Sequence, residues 1–263
     1  MTCLQLGGLS TRTSVRFTGG RAAELDAAAR RAWARCLLPA GDATLPETEP
    51  VTAALRAPGE EPGDEAVSGT DEAGVLQSLT QQVTYAKIAA QTGRMLMMHA
   101  GSVAGATGDA VAFVAPGGTG KTTLVSRLGN RFGYLTDETV AVDADATVHA
   151  YPKPLSLRSA GARPKAETSP DDLRLARPPA DCTLRRIVML ARSDHHDGAP
   201  RVEPLSRYEA IAALAPETSA LSALPRPLHW LDLLLDDLAP TVRLHYREVD
   251  TVLDLASAWL ERP

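Results

Sequence analysis

The stretch that most constrains the fold is VAFVAPGGTGKTTL, residues 111–124. An apolar run of strand length precedes a glycine-rich segment, and a helical pattern with Leu124 and Leu128 one turn apart follows it. Glycine-rich loops can aim backbone N–H groups inward, and the positive end of the next helix attracts an anion. The pattern therefore predicts a strand–loop–helix unit that binds phosphate groups.

Within this loop, Lys121 is expected to reach the β- and γ-phosphates of a nucleotide, and the Thr122 hydroxyl to coordinate Mg²⁺. Where the usual pattern has its first glycine, this chain has Ala115, which fits if its backbone φ is negative. The residues predicted to contact the nucleotide are Gly117, Gly118, Thr119, Gly120, Lys121, Thr122 and Thr123.

A nucleotide site with Mg²⁺ usually includes a carboxylate at the end of a second strand, and two positions offer one. Asp137 and Glu138 are adjacent and lie one short helix after the loop, whereas Asp194 ends an apolar strand much later. Two adjacent acids allow one to bind the metal while the other accepts a proton from a hydroxyl. The pair is therefore preferred over Asp194, whose alternative interpretation is a polar turn residue.

Composition and charge exclude several classes of protein. The net charge is −5 and no dense basic run occurs, which argues against a nucleic-acid partner. The three cysteines are scattered and indicate neither a disulfide framework nor a metal site. We find no pattern of a signal peptide and no run of about 18 apolar residues, so we expect a cytoplasmic protein without a membrane partner.

The rest of the chain mixes hairpins with helices and predicts an α/β fold with a mixed, partly antiparallel sheet. Two hairpins are expected, with residues 106–109 as the turn of the first and residues 144–146 as the turn of the second. A helix is expected over 71–92, with one buried stripe. That stripe is predicted to contain Val75, Leu79, Val83 and Ile88. We assign 1–94 to a small N-terminal α/β segment and 95–263 to the phosphate-binding domain.

Three stretches together resemble the HPr kinase/phosphorylase superfamily, and more closely its shorter HPr kinase-related proteins. They are HAGSVAGATGDAVAFVAPGGTGKTTL, GYLTDETVAV and YPKPLSLR. The resemblance implies a P-loop kinase core of the HPr kinase/PEP carboxykinase type. The Gly-rich C-terminal signature of authentic HPr kinase is not found in this chain.

The resemblance also implies roles for individual residues. It places His99 near the transferring phosphate, gives Asp137 the role of general base and metal neighbour, and gives Glu138 a part in metal binding. Lys153 lies where these shorter relatives carry a basic residue, and Arg158 follows nearby; the resemblance implies that either could stabilise the charge on the moving phosphoryl group. The residues alone leave other interpretations open, in which His99 is a core histidine and Lys153 belongs to a rigid turn.

The resulting hypothesis is a kinase that uses ATP and Mg²⁺ to phosphorylate a serine-like hydroxyl of a peptide or small protein. Such relatives often resemble tailoring enzymes of ribosomal peptide pathways and often assemble into homo-oligomers. Two alternatives are a small-molecule kinase and a non-catalytic nucleotide-binding regulatory module. The departures at Ala115 and Glu138 from the family pattern keep the second alternative open.

Overall fold

The structure is a computed structural model that describes residues 2–39, 41–157 and 165–261. The chain divides into two compact units. The first contains Met1–Gln91 and Tyr151–Leu173, and the second contains Thr92–Ala150 and Arg174–Pro263. The change from first to second unit falls close to the predicted boundary at 94 and 95. The stretch 151–173 differs from the sequence-based division, because it packs with the first unit.

The secondary structure of both units is as follows. In chain order the strands are β1 (Thr2–Gly8), β2 (Thr11–Thr18), β3 (Val51–Leu55), β4 (Val67–Gly69), β5 (Leu96–Ala104), β6 (Asp109–Val114), β7 (Gly133–Thr136), β8 (Thr139–Val142), β9 (Val148–His149), β10 (Leu155–Leu157), β11 (Ala166–Thr168), β12 (Thr183–Arg192), β13 (Arg201–Pro204), β14 (Thr218–Ser219) and β15 (Ala239–Tyr246). The helices are α1 (Ala22–Ala32), α2 (Glu72–Gln91), α3 (Lys121–Gly129), α4 (Arg207–Leu214), α5 (Pro227–Asp236) and α6 (Leu253–Glu261). Short 3₁₀ turns cover Ala34–Cys36, Ala215–Glu217, Leu221–Ala223 and Val249–Val252.

The first unit contains a four-stranded sheet in the order β1-β2-β3-β4. Strands β1 and β2 form an antiparallel hairpin, and β3 and β4 continue the sheet in parallel pairing. Helices α1 and α2 both contact this sheet, and β10 pairs with β11 in a separate antiparallel ribbon. The alternating pattern of residues 11–18 correctly predicts β2, whereas β1 was not predicted.

Helix α2 confirms the predicted helix at 71–92, but its buried face differs from the prediction at one position. Ile88 is only partly buried, and Lys87 lies in the core instead. The Lys87 ammonium donates hydrogen bonds to the carbonyl oxygens of Leu6 (2.8 Å) and Thr11 (3.2 Å). A lysine can occupy a core position when its alkyl stem packs and its ammonium finds acceptors. The buried residues that repeat every four positions are Val75, Leu79, Val83 and Lys87.

The second unit is built on a mixed sheet in the order β13-β15-β12-β6-β5-β8-β9, with β7 and β14 also paired to β5. Strands β6, β12 and β15 are parallel to one another, so their carboxyl ends lie at one edge. The antiparallel pairs β5–β6 and β8–β9 confirm both predicted hairpins. The core is filled by small and aliphatic side chains, including those of β5, β6, β8 and β12 and of helices α4 and α5, in keeping with an aromatic content of 4%.

The predicted mixed, partly antiparallel α/β fold is therefore confirmed. The apolar patterns of residues 184–192, 208–214 and 252–261 predict a strand and two helices, and β12, α4 and α6 confirm them, whereas α5 was not predicted. Across the described ranges, no helix has both the length and the apolar character needed to cross a membrane.

Candidate functional site

The loop between β6 and α3 has the conformation that its glycines permit. Gly118 and Gly120 have φ of 83° and 99°, in the left-handed region that side-chain-bearing residues rarely adopt. Ala115 has a negative φ, and its amide donates to the carbonyl oxygen of His99 at 3.4 Å. Alanine at this position therefore continues the β5–β6 pairing without backbone strain. Its departure from the usual glycine leaves the loop geometry intact.

Lys121, the first residue of α3, folds back over the loop. Its ammonium donates to the carbonyl oxygens of Ala115 (2.5 Å) and Pro116 (3.0 Å), and the side chain is mostly buried. Burial lowers the pKa of Lys121, while the nearby carboxylates of Glu217, Asp137 and Glu138 act in the opposite direction. A buried cation that is held only by carbonyl groups can exchange those partners for phosphate oxygens.

Thr122 and Asp137 are brought into direct contact by the fold. The Thr122 hydroxyl donates to one carboxylate oxygen of Asp137 at 3.0 Å, and the Tyr134 hydroxyl donates to the other at 3.1 Å. Asp137 lies in the turn between β7 and β8 and is 5% exposed. The turn places this carboxylate beside the first residues of α3, although 15 residues separate Asp137 from Thr122.

The chemistry of this pair suits a hard cation. A hydroxyl and a carboxylate are both oxygen ligands, and Mg²⁺ in nucleotide sites is usually bound by one or two protein oxygens together with phosphates and water. The Thr122 hydroxyl would bind the ion with the Asp137 carboxylate beside it, and the ion would neutralise charge on the phosphates. Within the described part of the chain, no group of three or more His, Cys, Asp or Glu side chains could hold a metal by itself.

Glu138 shares the turn with Asp137 but faces different neighbours. Its side chain is half-buried, and its backbone carbonyl accepts a hydrogen bond from the Ala100 amide at 3.1 Å. Its negative charge counteracts the lowering of the pKa of both Lys121 and His99. The two adjacent acids therefore have different surroundings. Asp137 contacts the Thr122 hydroxyl, whereas Glu138 is close enough to Lys121 and His99 to affect their pKa values.

His99 lies on β5, and the structure adds a partner that the sequence did not indicate. The Glu217 carboxylate lies 3.6 Å from Nδ1 of His99, whose side chain remains 40% exposed. Glu217 ends a 3₁₀ turn that leads into β14, and β14 pairs with β5 directly before His99. Burial and the Lys121 cation lower the pKa of His99, while Glu217 and Glu138 oppose that shift. Burial and the Lys121 cation thus favour the neutral form of the imidazole.

Two residues at the ends of β12 and β15 flank the loop on its other side. The Tyr246 hydroxyl donates to the carbonyl oxygen of Thr119 at 3.2 Å, and Tyr246 is fully buried. A Cβ atom on Gly120 would lie 3.9 Å from Cδ of Arg192. Asp194, the rival candidate acid, is 79% exposed at its side chain and pairs with Arg192 at 3.4 Å. Of the two candidate acids, Asp137 is the one that contacts the Thr122 hydroxyl.

The remaining predicted residues are distributed as follows. The Thr119 hydroxyl donates to the Pro116 carbonyl at 2.8 Å, and Thr123 is exposed on α3. Lys153 belongs to the first unit, where it is buried and donates to the Pro154 carbonyl at 3.1 Å. Its role toward a phosphoryl group stays a prediction. Arg158 lies outside the described residues.

Comparison of the chain with protein-family models gives no match, and comparison with curated proteins gives no match either.

Proposed function

We propose that the second unit binds ATP with Mg²⁺ and transfers the terminal phosphoryl group to a serine-like hydroxyl of a peptide or small protein. The observation that carries this proposal is the hydrogen bond between Thr122 and Asp137, at the start of the helix that follows the glycine loop. Other enzymes that transfer phosphoryl groups also use a glycine-rich loop, a lysine, a hydroxyl group and a carboxylate. A core of the HPr kinase/PEP carboxykinase type is part of this proposal.

The proposed reaction requires little covalent chemistry from the protein. The acceptor hydroxyl attacks the terminal phosphorus, the bond from phosphorus to the bridging oxygen breaks, and ADP leaves with that oxygen. The hydroxyl proton passes to Asp137, whose carboxylate oxygens retain lone pairs beside the hydrogen bonds from Thr122 and Tyr134. Lys121 stabilises the negative charge on the phosphate oxygens, and His99 places its imidazole at the same site.

The test compares the wild type with Lys121→Ala and Asp137→Asn. Binding of ATP, with and without Mg²⁺, is measured by calorimetry, and formation of ADP is measured with water and with candidate peptides as acceptors. Asp145→Asn provides a matched control, because this exposed carboxylate lies in the turn between β8 and β9. Lys121→Ala is expected to weaken ATP binding, and Asp137→Asn to abolish turnover.

The outcomes separate the candidate functions. Full turnover by both variants would contradict the assigned roles. Tight ATP binding without ADP formation under any acceptor would favour the non-catalytic module, and phosphorylation restricted to small molecules would favour the small-molecule kinase. Failure of the wild type to bind ATP would remove the proposal altogether.

A further inference from the structure

The end of strand β12 extends beyond the end of β6 and reaches the level of the glycine loop. Val114, the last residue of β6, is paired with Met189, and β12 continues for three more residues to Arg192. A strand advances by about 3.3 Å per residue, so Arg192 lies about 10 Å beyond that pair. In parallel sheets, ligands bind at the carboxyl ends of the strands. Arg192 is thus at the edge where a ligand of the loop would lie.

The side chain of Arg192 packs against the loop and is oriented by the backbone of β15. Its Cδ atom would lie 3.9 Å from a Cβ on Gly120, the residue that precedes α3. Its Nε donates to the Arg247 carbonyl at 2.9 Å, and one terminal nitrogen is 3.4 Å from the Asp194 carboxylate. For the other terminal nitrogen, the described residues supply no partner. The guanidinium therefore retains capacity to donate hydrogen bonds.

The distribution of charge around the loop indicates what Arg192 would bind. Three carboxylates act on Lys121: those of Asp137 and Glu138, in the turn between β7 and β8, and that of Glu217, directly before β14. Strands β7, β8 and β14 all pair with β5, on one side of β6. Arg192 comes from the opposite side, on β12, which pairs with the other edge of β6. A polyphosphate carries several negative charges, and Lys121 together with one Mg²⁺ ion does not offset both them and three acids. A planar guanidinium is well suited to phosphate oxygens.

We propose that Arg192 binds a phosphate group of the nucleotide, and that Asp194 holds the guanidinium when no nucleotide is bound. This inference rests on the proposed nucleotide binding and adds a second cation to that site. The ion pair with Asp194 is largely exposed, with side-chain exposures of 36% and 79%. Exposed pairs of this kind contribute little free energy. Phosphate oxygens can therefore replace Asp194 at small cost.

The experiment measures the affinity of the full chain for MgATP and for inorganic tripolyphosphate by calorimetry. Arg192→Ala and Arg192→Gln remove the charge, and the glutamine retains a donor that can reach nearby carbonyl groups. Arg185→Ala is the matched control, because Arg185 is an exposed arginine near the start of β12 that pairs with Asp109 at 2.8 Å. Thermal unfolding of each variant shows whether it is folded.

Both Arg192 variants are expected to bind ATP and tripolyphosphate about 10- to 100-fold more weakly than the wild type, the range expected for hydrogen bonds to a charged group. Arg185→Ala is expected to bind both as the wild type does. Asp194→Asn is expected to bind ATP at least as tightly as the wild type.

Several results would overturn the inference. Wild-type affinity in both Arg192 variants would do so while leaving the proposed function standing. Loss of affinity for ATP but not for tripolyphosphate would assign Arg192 to the nucleoside instead. Weaker ATP binding by Asp194→Asn would contradict the restraining role of Asp194. If the wild type bound neither ligand, the proposed function and this inference would both fall.

Discussion

Replacing Gly120 by alanine is expected to destabilise the second unit by about 1–2 kcal/mol more than replacing Gly117, because an L-residue pays about that much for a left-handed backbone. Gly120 has φ of 99°, whereas φ of Gly117 is negative. The two glycines lie in the same loop three residues apart, so Gly117 provides a closely matched control.

The difference arises from backbone strain, because the other contributions cancel or are small. A Cβ on Gly120 would have its nearest neighbours at 3.6–3.9 Å, which is ordinary van der Waals contact, and one on Gly117 would meet nothing within 4 Å. Both substitutions reduce the entropy of the unfolded chain by a similar amount, about 0.4–1 kcal/mol. Gly118 has φ of 83° and equally open surroundings, so its replacement is expected to match that of Gly120.

The measurement is urea unfolding of the three single variants and the wild type, followed by circular dichroism, with transitions fitted separately if the two units unfold apart. The slopes with denaturant are expected to be unchanged, so that midpoints report stability. Equal midpoints for Gly117→Ala and Gly120→Ala would refute the reasoning, because they would mean that Gly120 does not require the left-handed conformation. A neutral Gly118→Ala together with a destabilised Gly120→Ala would instead restrict the strain to the helix start.

Three further predictions follow from buried or paired titratable groups. Cys3 is exposed and is expected to react rapidly with a thiol reagent at pH 8, whereas burial raises the pKa of Cys36 to about 12 and this thiol should react only after unfolding, as peptide mapping would show. Burial lowers the pKa of Lys87 from 10.5 to about 8. Between these values the unfolded chain holds more protons, so the contribution of Lys87 to the free energy of unfolding rises with pH, by at most about 1.4 kcal/mol per unit. Between pH 8 and pH 9, the free energy of unfolding measured with urea should therefore rise less, or fall more, for Lys87→Met than for the wild type. Identical changes in the two proteins would contradict the lowered pKa of Lys87. The acidic Glu217 raises the pKa of His99, so Glu217→Gln is expected to lower that pKa further in an NMR titration, and an unchanged value would show that the pair does not interact.

Sequence patterns predicted those parts of the fold whose signals are local. The loop at 115–120 was predicted because its glycines follow an apolar strand directly, and both hairpins because turn residues interrupt alternating runs. Residue 87 shows where a residue-type rule fails. A strict spacing of four from Val75 leads to Lys87, but a preference for apolar residues selected Ile88 instead. Lysine is buried there because two carbonyl groups of the first sheet accept hydrogen bonds from its ammonium.

No local sequence pattern indicated the two residues that most change the interpretation of the site. Glu217 reaches His99 because β14 pairs with β5, and Arg192 reaches the loop because β12 lies beside β6. Both relations depend on strand order, which periodicity does not encode. Polar residues follow several strands of this chain, among them β3, β7, β8 and β12, so position after a strand is weak evidence by itself. It becomes more informative when that strand is known to run parallel and adjacent to the one that enters the loop. This condition holds for Arg192 and Asp194 alike, because both lie at the carboxyl end of β12. Their contacts separate them: Arg192 packs near Gly120, whereas Asp194 is exposed and contacts Arg192, and the Thr122 hydroxyl contacts Asp137 instead.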